Sequence, residues 1–533
     1  MFRKARWSGA AFVGVLILAS TSALAPVGAQ AASSRTTLTM TMGDQPQSLD
    51  PAASQDQFSN AALAGAYETL VRFSPGSPGG VTPLLATSWR QESGGKVWIF
   101  KIRQGVRFQD GSQMTASSVA YSFQRMLELN MGPAAGFTEI AAVKALGQNQ
   151  VEFTLKAPFG PFLLSLASIS GAAIVSPQAV RAHLKDGTLA THWLSTHMDG
   201  TGPYVMSQWE HGQQFVLTAN PHYWGGWKGN HVKTIVVREV TQPATQEMML
   251  EGGSADILGD IVDPRVPLNQ LRTLAKQPGV TVKQVYGGSE LIIGMNCLHG
   301  PTASVKVRQA ISDAIDYKGI INGIYFGYAR LAHGGVAYGD FGYNPSLPQY
   351  TYNMAKAKKL LAAAGYPKGG FSLTFTVEPN DNYLKIAALV KQSLAQLGIT
   401  VNIREMPWST EYELLENKDR APNLFITGWY GSYPDADNEL YPLYATASWG
   451  ANGFNVEYYS NRRVDQLLQA ARANTSSQQR LTLYNEAQKI LINQAPVIWV
   501  LNQSNILAYR ANVHGTLYDA SNMVPDYYTL WKN

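Results

Sequence analysis

The 533-residue chain holds a single cysteine. That excludes an intramolecular disulfide and any metal site built from several cysteines. Charge is also scarce: 15% of residues are Asp, Glu, Lys or Arg, and the formal net charge is +5. Three positive charges, Arg3, Lys4 and Arg6, lie in the first six residues, and no acidic residue occurs before Asp44. Without residues 1–31 the chain is close to neutral. Its pI near 8.9 is therefore no argument for nucleic acid or an anionic membrane as a partner. Long apolar runs are missing as well. Ala10–Leu18 falls far short of the ~20 residues that a bilayer-spanning helix needs.

Catalytic motifs are equally hard to find. No His-Glu-x-x-His occurs, and His192 and His197 do not share the i+3 or i+4 spacing of two ligands on one helical face. Gly252-Gly253-Ser254-Ala255-Asp256 fails the nucleophile elbow at its last position. There is no phosphate loop and no Gly-x-Gly-x-x-Gly. Asp435 and Asp437 could be imagined as an acid/base pair, but their spacing in a Pro-containing loop is a common turn composition. Cys297 reads as a small buried apolar residue. No catalytic residue, metal ligand or cofactor is expected, and the chain reads as a binder.

What is present begins with an address. Met1–Trp7 is basic, Ala10–Leu18 is apolar, and Ala29-Gln30-Ala31 supplies a small-x-small cleavage pattern, which together predict a secretory signal over 1–31. No cysteine stands near that cleavage point, so a lipoprotein anchor is not expected. The mature chain is expected to be soluble and extracytoplasmic.

The rest alternates strands and helices. Val97–Arg103 and Val151–Leu155 read as strands. Thr115–Leu129 reads as a helix, with Thr115 able to cap it. The clearest unit is 353–405. Helix Ala355–Ala364 stops at Gly365; Leu373, Phe375 and Val377 alternate as a strand; helix Tyr383–Leu397 stops at Gly398; Ile399, Val401 and Ile403 alternate again. This crossover implies a parallel pair. Val464–Ala473 and Gln478–Leu491 read as helices, with Ser476 and Gln479 offering a capping box. The class is α/β, in which ligands bind at strand ends or between domains.

Several blocks carry a resemblance: Leu49-Asp50-Pro51, Tyr67-Glu68-Thr69-Leu70-Val71, Trp98 through Arg125, Thr201-Gly202-Pro203-Tyr204, Asn220-Pro221-His222-Tyr223-Trp224, Val307–Ile321, Lys356–Tyr366 and Trp429–Asn438. Their ordered series resembles the extracytoplasmic solute-binding proteins of peptide- and nickel-type ABC importers, family 5. The resemblance implies a two-lobed α/β fold of the periplasmic-binding-protein type with a hinge and an extra inserted domain. Lobe one would span about 36–290 with 506–533, the insertion about 82–200, and lobe two 291–505. The first long block reads as framework.

The resemblance also implies a ligand in the cleft between lobes, an extended peptide pairing with exposed strand edges. The matching edges would be Gly294-Met295-Asn296 and Thr427–Ser432, with Trp429 and Tyr430 offering aromatic faces beside Gly431. The loop Ser54–Ser59, with Gln55 and Gln57, would face the cleft from lobe one. Many peptide-binding relatives carry an Asp three residues after the tryptophan, which pairs with the ligand's α-ammonium. Ser432 stands there in this chain. A hydroxyl cannot replace a buried carboxylate's attraction for an ammonium, so either Asp435 or Asp437 reaches in, or the ligand lacks a free amine. Implied partners are a peptide or other small solute and the ABC permease with its ATPases, the receptor acting as a monomer. Alternatives are a sugar, an opine-like compound, or chelated nickel or haem, and, from another class, a secreted hydrolase.

Overall fold

The computed structural model describes residues 35–74, 79–184, 187–262, 264–519 and 523–533. The signal over 1–31 lies outside the described residues. Among the described residues no helix is long and apolar enough to cross a membrane.

The expected crossover unit is present. Ser372–Val377 and Thr400–Glu405 pair in parallel, from Ser372 opposite Thr400 to Val377 opposite Glu405. Helix Asp381–Ala395 connects them and buries Ile386, Ala387, Val390 and Leu394 on one face. Gly398 turns the chain back at φ 74°, where a Cβ would strike the Lys368 carbonyl and a side chain is disfavoured. Helix Ala116–Leu129 starts after Thr115, whose N–H donates to Ser118 Oγ at 3.2 Å. Helix Ser477–Gln494 also forms, but Ser476 makes no side-chain cap bond. Asn474 takes its place: Nδ2 donates to Gln479 Oε1 at 2.6 Å, and Oδ1 accepts from the Ser476 N–H. An Asx turn that starts two residues upstream has captured the Gln that a capping box would use.

The large sheet explains the two-lobed fold. One half holds Thr37–Met42 between Thr234–Glu239 and Ile257–Leu258, both parallel to it. The other half holds Ser372–Val377 between Thr400–Glu405 and Leu424–Tyr430, again parallel. Two long antiparallel strands, Val280–Met295 and Val497–Arg510, run through both halves and pair with each other. Their register breaks between Tyr286/Ser504 and Glu290/Asn502, and again after Leu291. A bulge bends and twists a strand where its ladder is interrupted, so the hinge lies there. The chain end returns to the first half: Lys532 Nζ, buried, pairs with Asp256 at 2.8 Å and donates to the Thr37 carbonyl.

A separate four-stranded antiparallel sheet joins Ala86–Glu92, Val97–Ile102, Gln150–Leu155 and Ile140–Leu146. Its core packs Phe100, Phe123, Phe153 and Phe162 with edge-on rings, the arrangement the ring quadrupole favours.

The motif blocks find structural work in this frame. Asp50 of Leu-Asp-Pro takes both Arg125 amino groups, at 2.9 and 2.6 Å, with both side chains buried. Glu68 accepts from Thr201 Oγ1 (2.7 Å), Tyr223 OH (2.8 Å) and Trp224 Nε1 (2.9 Å). Five blocks far apart in sequence thus meet as two buried polar knots, each with its donors matched to acceptors.

Candidate functional site

Parallel strands aim their carboxyl ends at one region, and the chain leaving those ends lines open space there. After Ile257–Leu258 come Val262, Pro264 and Leu268. After Ser372–Val377 come Asn380, Asn382 and Tyr383. Leu424–Tyr430 ends in Tyr430, and the hinge strand Val497–Arg510 contributes Gln503 and Ser504. Tyr325 and Tyr328 follow the helical turn Ile320–Ile324 and close the wall. The cavity is about 120 Å³ and draws on both halves of the large sheet.

A hydrogen-bond network organises its floor. Tyr430 OH donates to Gln503 Oε1 at 3.0 Å, and Gln503 Nε2 donates to Tyr325 OH at 3.5 Å. Ser504 Oγ donates to Gln284 Oε1 at 3.2 Å across the paired hinge strands. Asn380 is the N-cap of helix Asp381–Ala395, its Oδ1 accepting from Asn382 and Tyr383 N–H groups, which fixes the tip that carries Tyr383.

The expected site residues divide between this region and the interior. Tyr430 is 41% exposed and lines the cavity. Gly431 donates its N–H to the Gly288 carbonyl in the hinge at 3.1 Å, and Ser432 is exposed. Trp429 is half-buried, its Nε1 donating to the Asn438 carbonyl at 3.0 Å and its ring edge-on to Phe454. One edge of Leu424–Tyr430 pairs with Ser289–Met295 along its length. The opposite edge meets Ser372–Val377 only at Leu424 and Phe425. Among the described residues, Thr427–Trp429 therefore presents a strand edge with no ladder partner on that side.

The segment Gly294-Met295-Asn296 offers no such edge, contrary to expectation. Gly294 is paired on both sides, with Phe425 and with Val497. Met295 is wholly buried in the core. Asn296 caps a turn, accepting from the Leu298 and His299 N–H groups. A central strand has both ladders filled, so its main chain cannot take a ligand.

Asp435 and Asp437 do not reach the cavity either. Arg480 Nη2 donates to Asp435 Oδ1 at 2.6 Å, as does the Asp437 N–H at 2.9 Å. Asp437 Oδ2 accepts from Tyr433 OH at 3.0 Å and faces Arg472 at 3.4 Å. Burial raises the pKa of both, to about 6 for Asp437, against the pull of these guanidiniums. Both are held as buried ion pairs away from the cavity lining. Arg472 also approaches Glu139 at 3.5 Å, and its carbonyl accepts from the Gly160 N–H, so this knot touches the chain flanking the four-stranded sheet.

In the loop Ser54–Ser59, Asp56 caps helix Gln57–Ala66 through Ser59. Gln55 is exposed beside Gly132. Gln57 starts the helix, with Oε1 buried and unpartnered. Neither glutamine is among the residues lining the cavity.

Tyr325, Tyr328, Asn380, Tyr383 and Gln503 were missed by the sequence reading. One signal was available: Asn502-Gln503-Ser504-Asn505 interrupts an otherwise apolar strand, and a polar run in mid-strand marks a place where the sheet is not covered by core. Among the described residues no group of three His, Cys, Asp or Glu side chains could hold a metal ion.

Comparison with known proteins agrees with this architecture. A family model described as bacterial extracellular solute-binding proteins, family 5 Middle, matches residues 80–451. The probable D,D-dipeptide-binding periplasmic protein DdpA of Escherichia coli is 31% identical over 479 residues, 89% of this chain and 90% of the relative. Heme-binding protein A of Haemophilus influenzae is 30% identical over 480 residues, 86% of this chain and 85% of the relative. HbpA2 from Haemophilus parasuis superposes with a TM-score of 0.84 at 26% identity, covering 93% of this chain and all (100%) of that one. DppA from Helicobacter pylori, solved with the peptide STSA, gives 0.75 at 26% identity over 93% of this chain and 98% of that one. The chain belongs to the bacterial extracellular solute-binding proteins of family 5.

Proposed function

We propose that this chain is the extracytoplasmic receptor of an ABC importer that captures peptides between its lobes and hands them on unaltered. The observation that carries the reading is the open edge at Thr427–Trp429. Such an edge bonds a ligand main chain without reading its side chains, and it lies beside an aromatic cavity that can take one residue's side chain. The hinge at Tyr286–Glu290 and Asn502–Ser504 supports lobe limits close to 290/291 and 505/506, with the four-stranded sheet inside the inserted stretch. Ligand touching both lobes favours the closed form by its differential contacts. A closed receptor would act as a monomer on a membrane permease driven by its ATPases.

The peptides this site suits are those without a free α-ammonium near Ser432, because no carboxylate replaces the one the family pattern supplies. Thermal melting against a peptide library tests the reading. N-blocked peptides should raise the melting temperature; a flat response across the library would remove peptide as the substrate. Ser432→Asp should improve free-amine peptides over their N-acetylated forms, and equal affinities would show that the hydroxyl is not the cause of discrimination.

A second reading is favoured by one feature. Tyr325, Tyr328, Tyr383 and Tyr430 with Asn380 and Gln503 combine ring faces with amide groups, a surface suited to a neutral sugar or similar solute. Mass spectrometry of ligand carried through gentle purification separates the two.

A further inference from the structure

Three carboxyl groups are buried together behind the hinge. Glu290 leaves the irregular stretch of the first hinge strand, and its Oε1 accepts from Asn502 Nδ2 on the second strand at 3.3 Å. Asp340 sits in the loop 337–343 and faces the Gly288 backbone. Glu439, on helix Asp437–Tyr444, accepts the Ala337 N–H at 2.9 Å. Their exposures are 0, 4 and 1%. One oxygen of each, Glu290 Oε2, Asp340 Oδ2 and Glu439 Oε2, is buried without a hydrogen-bond partner.

No ion pair forms on any of the three among the described residues. The guanidiniums nearby are committed elsewhere, Arg480 to Asp435 and Arg472 to Asp437. Arg330 lies over the Tyr338 ring. The other groups facing the cluster are phenols or acids: Tyr343 and Tyr444 toward Glu290, Tyr518 and Asp435 toward Asp340, and Asp435 toward Glu439. Several unpaired carboxylates in one dry space repel each other and are poorly solvated, so they keep protons instead.

The same cluster is stitched to both the hinge and the ligand-bearing segment. Gly431 donates to Gly288 at 3.1 Å, Tyr338 N–H to Asn502 Oδ1 at 3.3 Å, and Phe341 N–H to the Pro434 carbonyl at 3.1 Å. Whatever moves Asp340 or Glu290 therefore moves the bulge and the strand end that carries Tyr430.

We propose that Glu290, Asp340 and Glu439 form a proton-held latch, so that the hinge is tight in acid and loosens when the surroundings turn alkaline. Its coupling to solute capture rests on the cleft reading above; the latch itself does not. Burial raises Glu290 and Asp340 to about 8, helped by Asp340 beside Glu290 and by Asp435 beside Asp340, and Glu439 also lies well above its usual range. Unfolded carboxyls titrate near ~4. The latch thus contributes fully below about pH 4 and is lost as pH rises through about 8.

The test melts the ligand-free full chain from about pH 5 to about pH 9, wild type beside a Glu290→Gln, Asp340→Asn double variant whose amides mimic the protonated acids. Wild-type melting temperature should fall with rising pH, and the double variant should lose most of that fall. Small-angle scattering should show the wild type expanding above about pH 8 and the double variant unchanged. Glu411→Gln removes a carboxyl held near 7 elsewhere and should expand like wild type. Identical slopes and scattering in wild type and double variant would overturn the proposal. Should the double variant not fold, the infrared band of protonated carboxyls in wild type at neutral pH, diminished in Glu290→Gln, supports it, and absence of that band overturns it. A failed peptide screen with the expected slopes would remove the ligand reading and leave the latch. Normal peptide capture with unaltered slopes would remove the latch alone.

Discussion

Asp50 and Glu290 are both wholly buried, yet their surroundings differ in charge. Asp50 faces the Arg125 fork, two short bonds to a group that stays protonated. Glu290 faces an amide, two other acids and two phenols. The first arrangement fixes a charge inside the framework of the first lobe and makes it rigid. The second leaves the charge state to the solvent proton concentration, and it does so at the part of the molecule that bends. Rigidity belongs where motif blocks cross the first lobe; responsiveness belongs at the hinge.

Breaking the first member of the pair has the largest expected effect. Arg125→Met should cost about 3–5 kcal/mol in denaturant unfolding, because Asp50 would remain buried without its cation. A loss below about 1 kcal/mol would mean that water reaches Asp50 and the knot is not dry. Glu68 offers a milder break of the same framework. Glu68→Leu strands the Trp224 and Tyr223 donors and the Thr201 hydroxyl, and should cost about 1–3 kcal/mol; the loss should persist at high salt, which an ion pair at the surface would not.

At the hinge the matching substitution should be nearly silent in acid. Glu290→Gln keeps an oxygen for Asn502, and at about pH 5 it should change stability by less than about 1 kcal/mol. A large loss there would show that Glu290 is ionised in the fold. Smallest of all, Ser432→Asp on the exposed cleft rim should stay within about 0.5 kcal/mol in unfolding while altering peptide preference, so binding and stability separate at that position.

Much of the frame could be read from residues alone. Period-2 alternation at Leu373, Phe375 and Val377 and the stop at Gly398 located a parallel crossover unit that the structure contains. The alternation is local, and so is the turn chemistry. Met295 and Asn296 illustrate the limit. The resemblance offered them as part of a strand edge, but which edges are filled depends on Phe425 and Val497 beside Gly294, and those arrive from far along the chain. Asp435 and Asp437 fail for a related reason: two acids in a Pro-containing loop look exposed until Arg480 and Arg472, from two later helices, close over them.

Local pattern and composition decided that this chain alternates strands and helices and that its one cysteine excludes an intramolecular disulfide, while its ordered blocks carry the resemblance to solute-binding proteins. Those properties depend on neighbours in sequence, which a reader of the chain can see. Tertiary structure alone decided which strand edge stays open, which tyrosines meet at the cavity, and which acids lose their cations behind the hinge. Each of these depends on a partner supplied across the sheet, and desolvation, which sets the charge of Glu290 and Asp340, exists only after those partners have packed.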